Sequence, residues 1–392
     1  MEFRINPAVA ATFAPPVMEA RRWTEGVTFP PDRPLLNVSQ AAPVEPPPEG
    51  LRRALADAAL NDPSAHLYGP VLGNDELRAE VARDWTAAYG ALVAPSEVAI
   101  TQGCNMAFCA TILTLAGQGD EVILPAPWYF NHKMWLDMSG ATCVPLMVGA
   151  DLLPDPEAAR ALITSRTRAI TLVTPNNPGG VEYPASLVRA FYDLAKEKGI
   201  ALIVDETYRD FDSRPGAPHD LFSDPDWRGT FVQLYSFSKA FRLTGHRVGA
   251  IVAGSAFMAQ VEKVLDTLSI SASQMGQIGA LWGMRNLRQW LAGERQEILT
   301  RRDAVVAGFR TLPDWRLMGC GAYFAFAEVP QGLNSAKVAQ RLVREAGLLM
   351  LPGTMFTPDG AALGARTMRI AFANVDSKGI AEMCARLAAW KA

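Results

Sequence analysis

The stretch Ser236-Phe237-Ser238-Lys239-Ala240-Phe241-Arg242-Leu243-Thr244-Gly245-His246-Arg247-Val248-Gly249 follows directly on an apolar run at 231–235. That run is nearly continuous rather than alternating, so it reads as a strand buried on both faces of a parallel sheet. In open parallel sheets ligands sit beyond the carboxyl ends of the strands, which is where this segment begins. A lysine there, flanked by two serines and followed eight residues later by Arg247, has a specific chemical use. Its amine can condense with an aldehyde to form a Schiff base. The hydroxyls and the planar guanidinium fork can hold a phosphate nearby. Gly245 and Gly249 allow a tight turn and close packing.

Working outward, further apolar runs at 97–100, 121–124, 169–173, 200–204 and 248–253 alternate with helix-period segments such as Cys104–Leu115 and Ala185–Lys198. Strand and helix in alternation mean an α/β domain with a mostly parallel sheet. The ends differ. Residues 1–50 are Pro-rich and irregular; beyond 300 come a helix at 301–311, short strands at 322–326 and 368–372, and amphipathic helices at 336–346 and 378–390. These predict a smaller α+β domain completed by the N-terminal segment. The expected division is an N-terminal arm with part of the small domain (1–50), a large domain (51–295) and a C-terminal small domain (296–392). No internal repeat or low-complexity linker interrupts it.

Composition narrows the class. The 392 residues are 49% hydrophobic and 20% charged, with a formal net charge of −3. Such a chain does not stay disordered, and near-neutrality gives no electrostatic reason to expect nucleic acid or an anionic membrane as partner. Five scattered cysteines and four histidines show no metal-ligand spacing, so no metal is expected and a reducing compartment is the simpler reading. With no apolar stretch near the roughly 20 residues of a membrane span, and no apolar core of a signal peptide at the N-terminus, the expected location is the cytoplasm.

Other segments carry chemistry. Thr367-Met368-Arg369-Ile370-Ala371-Phe372 sets an arginine in an otherwise apolar strand. A charge there is costly unless paired, and a carboxylate, from a substrate or from an internal acid, is the natural partner. Thr101-Gln102-Gly103-Cys104-Asn105 opens a helix behind a strand, a phosphate-binding geometry. Thr174-Pro175-Asn176-Asn177-Pro178-Gly179-Gly180 is a Pro/Gly turn bearing amides that can donate hydrogen bonds. Pro125-Ala126-Pro127-Trp128-Tyr129-Phe130 offers aromatic faces at a strand end.

The lysine segment resembles the cofactor-lysine signature of the class I/II aminotransferases, enzymes of pyridoxal 5′-phosphate (PLP) fold type I, and the other segments match that family in the same order from about Leu36 to the C-terminus. The resemblance implies a large domain with a seven-stranded, mostly parallel sheet flanked by helices, a smaller α+β domain, and PLP bound to Lys239. It implies that Asp205, in Ala201-Leu202-Ile203-Val204-Asp205-Glu206-Thr207-Tyr208, pairs with the pyridine nitrogen, and that Tyr208 and Asn177 contact the ring oxygen. Glu206 stays open between a functional acid and one that is merely structural or exposed. Gly103, Cys104, Asn105, Ser236, Ser238 and Arg247 would hold the phosphate. Tyr129 would stack on the ring, with Trp128 the alternative one residue away, and His132 would support Asp205. Arg369 matches the α-carboxylate arginine, with Asn177 and Ala41 also at the substrate. Tyr68, in Tyr68-Gly69-Pro70-Val71-Leu72-Gly73, matches a tyrosine that reaches the neighbouring subunit's phosphate, which implies a homodimer with shared active sites.

The departures are specific. Arg242 stands where the family has a small residue and is read as a surface side chain. Gly179 replaces a threonine and is expected to loosen its loop. Asn105 replaces the lysine of some aspartate-specific relatives. Alanines 41 and 42 fall where relatives have a glycine that closes over the substrate. The implied activity is transfer of an amino group from an L-amino acid, neutral or aromatic, to a 2-oxo acid. A C–S lyase, a synthase, a decarboxylase or an amino-acid oxidase would use the same cofactor residues.

Overall fold

The computed structural model describes residues 3–391, so positions 1, 2 and 392 of the expected terminal segments lie outside it. Strand β1 (Leu36–Asn37) belongs to the N-terminal segment. The next seven are β2 (Val98–Thr101), β3 (Glu121–Ala126), β4 (Thr142–Met147), β5 (Thr167–Val173), β6 (Ala201–Asp205), β7 (Phe231–Ser236) and β8 (Gly249–Val252). They form one sheet in the order β2-β8-β7-β6-β5-β3-β4. Neighbours are parallel from β7 across to β4, and β8 runs antiparallel to both β7 and β2. Six of these strands lie on the expected apolar runs. β4 does not: it is an edge strand whose only fully buried residue is Leu146, and Pro145 is tolerated there because one side of an edge strand needs no ladder donor.

Both faces of the sheet are covered, which is why its central strands are apolar throughout. Trp85, Phe191, Tyr235 and Phe237 belong to the core on one side; Phe108, Leu136 and Met258 belong to the other. Each large side chain taken out of water in this way contributes roughly 1.5–3 kcal/mol.

The second unit is a four-stranded antiparallel sheet in the order β12-β13-β10-β9, with β9 (Arg316–Gly321), β10 (Phe324–Glu328), β12 (Leu351–Pro352) and β13 (Thr367–Ala371). Helices Ser335–Ala346 and Ser377–Ala389 pack with it. β1 joins this unit by pairing in parallel with β11 (Leu348–Leu349). The helix expected at 301–311 starts much earlier: it runs from Arg288 to Phe309, across the expected boundary at 295/296. Its apolar stripe is sparse, with Ile298, Val305 and Phe309 the buried residues, so the first turns show little periodicity in sequence. Among the described residues no helix is long and apolar enough to cross a membrane.

Register brings the chemistry to one edge. Val173 pairs with Asp205, Asp205 with Leu234, and Gly249 with both Ser236 and Thr101. The segments after β2, β5, β6 and β7 therefore emerge side by side. The loop Asn176–Gly180 also touches the second unit backbone to backbone. A Cβ on Gly180, whose φ is +69°, would lie 2.2 Å from the Phe324 carbonyl oxygen, and one on Gly319 would lie 2.2 Å from that of Gly179. The expectation that Gly179 loosens this loop is corrected. Asn176 Oδ1 accepts from the Gly179 N–H at 2.8 Å, and its amide nitrogen donates to the Tyr183 hydroxyl at 3.1 Å, so the loop is tied down and a Cβ at 179 would meet Asn176 Oδ1 at 2.8 Å.

Candidate active site

A cavity of about 490 Å³ opens at this edge. It is lined by Lys239, Asp205, Tyr208, Asn177, Ser236, Ser238, Cys104, Asn105, Tyr129, Arg247, Arg369 and Ala41. These come from the strand ends of the large sheet, from β13 and from the N-terminal segment.

At one end the helix Cys104–Leu115 begins, its first backbone N–H groups free of intrahelical partners. Gly103 precedes it at φ +83°, and a Cβ there would lie 2.3 Å from Arg247 Nη2, so only glycine lets the guanidinium pack against this turn. Arg247 is steadied by a 3.0 Å hydrogen bond from Nη1 to the Thr244 carbonyl. Amide N–H groups, the hydroxyls of Ser236 and Ser238 and one guanidinium fit a phosphate dianion. The Cys104 thiol is pushed well above its ordinary range, by burial first and then by Asp205, and stays neutral.

In the middle lies Asp205, 3% exposed. Its Oδ1 accepts the Thr207 N–H at 2.9 Å, and His132 Nε2 is 3.3 Å from Oδ2. Burial acts to raise the Asp205 pKa, but His132 and Thr207 outweigh it and hold the carboxyl below its usual range. The His132 ring stacks on Phe108 at 3.8 Å and meets Tyr129 edge-on at 5.0 Å. A buried, ionised carboxylate is what a protonated pyridine nitrogen requires. Tyr129 lines the cavity and donates to Asn105 Oδ1 at 3.1 Å, whereas Trp128 lines a different cavity beside Lys133. Of the two aromatics, Tyr129 is therefore the one this cavity presents.

Lys239 donates from Nζ to the Ala41 carbonyl at 2.5 Å. Burial, then the charges of Arg247 and Arg369, pull its pKa down to about 8, so near neutrality a useful fraction of the amine is unprotonated. Tyr208 is buried against Tyr323 and Phe324, and burial pushes its hydroxyl well above the ordinary range.

Arg369 is 2% exposed. Nη1 donates to Asn177 Oδ1 at 3.1 Å, Nη2 donates to the Ser39 carbonyl, and Nε has no partner. Rings of Phe130, Phe324 and Phe356 surround it at 5.8, 5.1 and 4.9 Å. Burial draws its pKa down to about 10, still high enough to keep the charge at neutral pH. Among the described residues no carboxylate pairs with it, so the internal acid considered as an alternative partner is not there.

The remaining expected residues fall elsewhere. Tyr68 is 80% exposed and outside this cavity. Glu206 is fully buried in a separate cluster, accepting from the Tyr89 hydroxyl at 2.6 Å with His219 Nε2 at 3.3 Å, which makes it structural. The surface reading of Arg242 is corrected. Its largely buried guanidinium pairs with Glu45 at 2.5 Å and Glu294 at 2.7 Å, tying the N-terminal segment to the helix Arg288–Phe309. Sequence reasoning missed Arg21, Ser39, Gln40 and Met134. The Pro15-Pro16 pair was a usable signal for the helix Pro16–Arg22, since proline favours the first helical position, but nothing local tells where that helix docks.

Comparison with known proteins agrees with this geometry. The family described as "Aminotransferase class I and II" matches residues 33–387. An arginine–pyruvate transaminase of Pseudomonas aeruginosa is 30% identical over 315 residues, covering 77% of this chain and 79% of its own. A probable aspartate/prephenate aminotransferase of Thermus aquaticus is 29% identical over 320 residues, covering 80% of each chain. The crystal structure of a putative kynurenine aminotransferase from Saccharomyces cerevisiae superposes with a TM-score of 0.91 at 18% identity, covering 99% of both chains, and so shares the fold. With the match spanning both sheets and the cavity-lining residues from Gln40 to Arg369, this chain belongs to the class I and II aminotransferases, enzymes that work with pyridoxal 5′-phosphate.

Proposed function

We propose that this aminotransferase takes the amino group of a neutral or aromatic L-amino acid and passes it to a 2-oxo acid, in two half-reactions at the one cavity, with Lys239 as the residue that binds the cofactor covalently. The observation that carries the proposal is the convergence of three groups: a lysine with a lowered pKa, a buried ionised aspartate, and a buried arginine with no acid partner.

In this reading Arg247, Ser236, Ser238 and the amides at Gly103–Asn105 hold the phosphate, Asp205 with His132 faces the ring nitrogen, Tyr129 covers one ring face, and Tyr208 and Asn177 face the ring oxygen. When bound, the cofactor supplies an electron sink for negative charge at the substrate α-carbon. Arg369 binds the α-carboxylate through its planar fork, exchanging the neutral Ser39 carbonyl for a charged partner. The Lys239 amine takes the α-proton and returns it on the other side of the transfer. Acid–base assistance of this kind contributes roughly 10²- to 10⁴-fold.

The substrate class rests on the cavity wall. Pro15, Pro16, Val17 and Met18 of the N-terminal helix region line it together with Phe130 and Met134, an apolar surface for an uncharged side chain. The test is a panel of amino donors added to the holoenzyme, followed by the change from the absorption of lysine-bound coenzyme to that of the pyridoxamine form. Leucine-, methionine- and phenylalanine-like donors are expected to react; reaction confined to aspartate and glutamate would defeat the substrate reading.

The homodimer belongs to the same proposal. Leu67 and Tyr68 are 66% and 80% exposed on adjacent positions, a surface suited to reach a second copy. Sedimentation is expected to give twice the chain mass, with a single-chain mass counting against shared sites. Five free cysteines fit a reducing compartment, which supports the cytoplasm.

A further inference from the structure

Resting on the transaminase reading above, we propose that Arg242 is a positioning residue for proton transfer: by holding residues 45 and 46 it fixes the Ala41 carbonyl against the Lys239 amine, and so aims that amine during the reaction.

Two contacts lay one piece of chain along another. Lys239 donates to the Ala41 carbonyl at 2.5 Å. Three residues further on, Arg242 Nη1 pairs with the Glu45 carboxylate at 2.5 Å and donates to the Pro46 carbonyl at 3.4 Å. The reacting amine and the guanidinium thus grip the two ends of the segment 41–46.

That segment has few other ties. Up to Ala42 it is held by the small unit: the Val38 carbonyl accepts the Ala371 N–H at 2.8 Å, and Asn374 Oδ1 accepts the Ala42 N–H at 3.1 Å. Beyond Ala42, residues 43, 46, 47 and 48 are prolines, which have no N–H to donate. Among the described residues only Arg242 and Arg52 bond to 43–47, Arg52 through the Pro47 carbonyl. Proline-rich chain is extended and semi-rigid, so a hold at 45–46 is transmitted to Ala41 rather than absorbed on the way.

Arg242 is itself anchored. Nε and Nη2 both donate to Glu294 Oε2, at 3.0 and 2.7 Å, and the guanidinium lies 5.4 Å from the centre of the Trp290 ring. Its backbone sits at φ +57°, a conformation that is costly for a residue other than glycine and persists where the surrounding contacts impose it. A small residue at 242 could make none of these contacts. In the step concerned the substrate Cα–H bond breaks, its electron pair stays on the carbon, and an N–H bond forms on Lys239. A free amine that donates one hydrogen to a fixed carbonyl has its lone pair aimed, and a misplacement of about 1 Å is enough to slow such a step about 10²-fold.

The test is a single-turnover reaction of the holoenzymes with whichever of leucine, methionine and phenylalanine reacts fastest, carrying hydrogen or deuterium at the α-carbon. Arg242→Ala is expected to lower the maximal rate by about ten- to a hundredfold and to raise the deuterium isotope effect, while the dissociation constant of the donor, set by Arg369, stays as it was. Glu45→Gln, at a side chain 62% exposed and therefore safe for folding, should act in the same direction, and Arg242→Lys should recover part of the rate. Hydrogen exchange followed by mass spectrometry should be faster at 41–45 in Arg242→Ala. An unchanged maximal rate and isotope effect, a loss confined to the dissociation constant, or faster exchange without slower proton transfer overturns the assignment. Failure of the underlying reading looks different: Lys239→Ala would then keep its turnover, whereas loss of turnover there beside a full rate in Arg242→Ala ends only the role of Arg242.

Discussion

Lys239→Ala is expected to leave a folded protein that lacks the absorption of lysine-bound coenzyme and turns over at least roughly 10⁴-fold more slowly, the upper end of what acid–base assistance alone supplies. The expectation follows from geometry. Asp205, Tyr129 and Arg369 would still bind coenzyme and substrate, but among the described residues lining the cavity no other amine stands at that position. The ionisation of Lys239 can be read separately on coenzyme-free enzyme. Its pKa is drawn to about 8 by burial and then by Arg247 and Arg369. Because only the unprotonated amine attacks, labelling of Lys239 by an amine-directed reagent should rise as pH increases through about 8, rather than near 10 as for a free lysine. Arg247→Met removes a neighbouring cation and should move the midpoint upward. Retained turnover and colour in Lys239→Ala would mean that another residue carries the chemistry.

Arg369→Gln is expected to lower kcat/KM by about 10²- to 10⁴-fold, while the coenzyme absorption is kept. Losing one member of a buried, hydrogen-bonded ion pair costs about 3–5 kcal/mol, and each 1.4 kcal/mol is a factor of ten. In the substrate complex that pair would be the guanidinium and the α-carboxylate, enclosed by Phe130, Phe324 and Phe356. Stopped-flow measurement of the first half-reaction checks it: the apparent substrate dissociation constant should rise steeply. A variant with unchanged substrate affinity would make Arg369 a structural cation.

The large sheet and the lysine were legible because buried parallel strands are written as apolar runs and because Lys239, Asp205 and Asn177 each follow such a run. What escaped was set by encounters between distant segments. Edge strand β4 carries only one fully buried residue and a proline, so it has no apolar run to read. The partner of Arg369 in the N-terminal segment is the Ser39 carbonyl, 330 residues away, and a backbone oxygen leaves no mark in side-chain sequence. Arg242 looked like surface because its acids, Glu45 and Glu294, are remote in sequence and become its partners only when the N-terminal segment crosses the helix Arg288–Phe309.

That helix also constrains motion. At 22 residues it is a rod of about 33 Å, with Trp290 and Leu291 against the core of the large sheet and Ile298, Val305 and Phe309 in the core of the small one. One stiff strut anchored in both bodies forbids them from drawing straight apart. Any opening of the cleft must be a swing about this axle, and the backbone that flexes to allow it has to lie in the connections rather than along the strut itself.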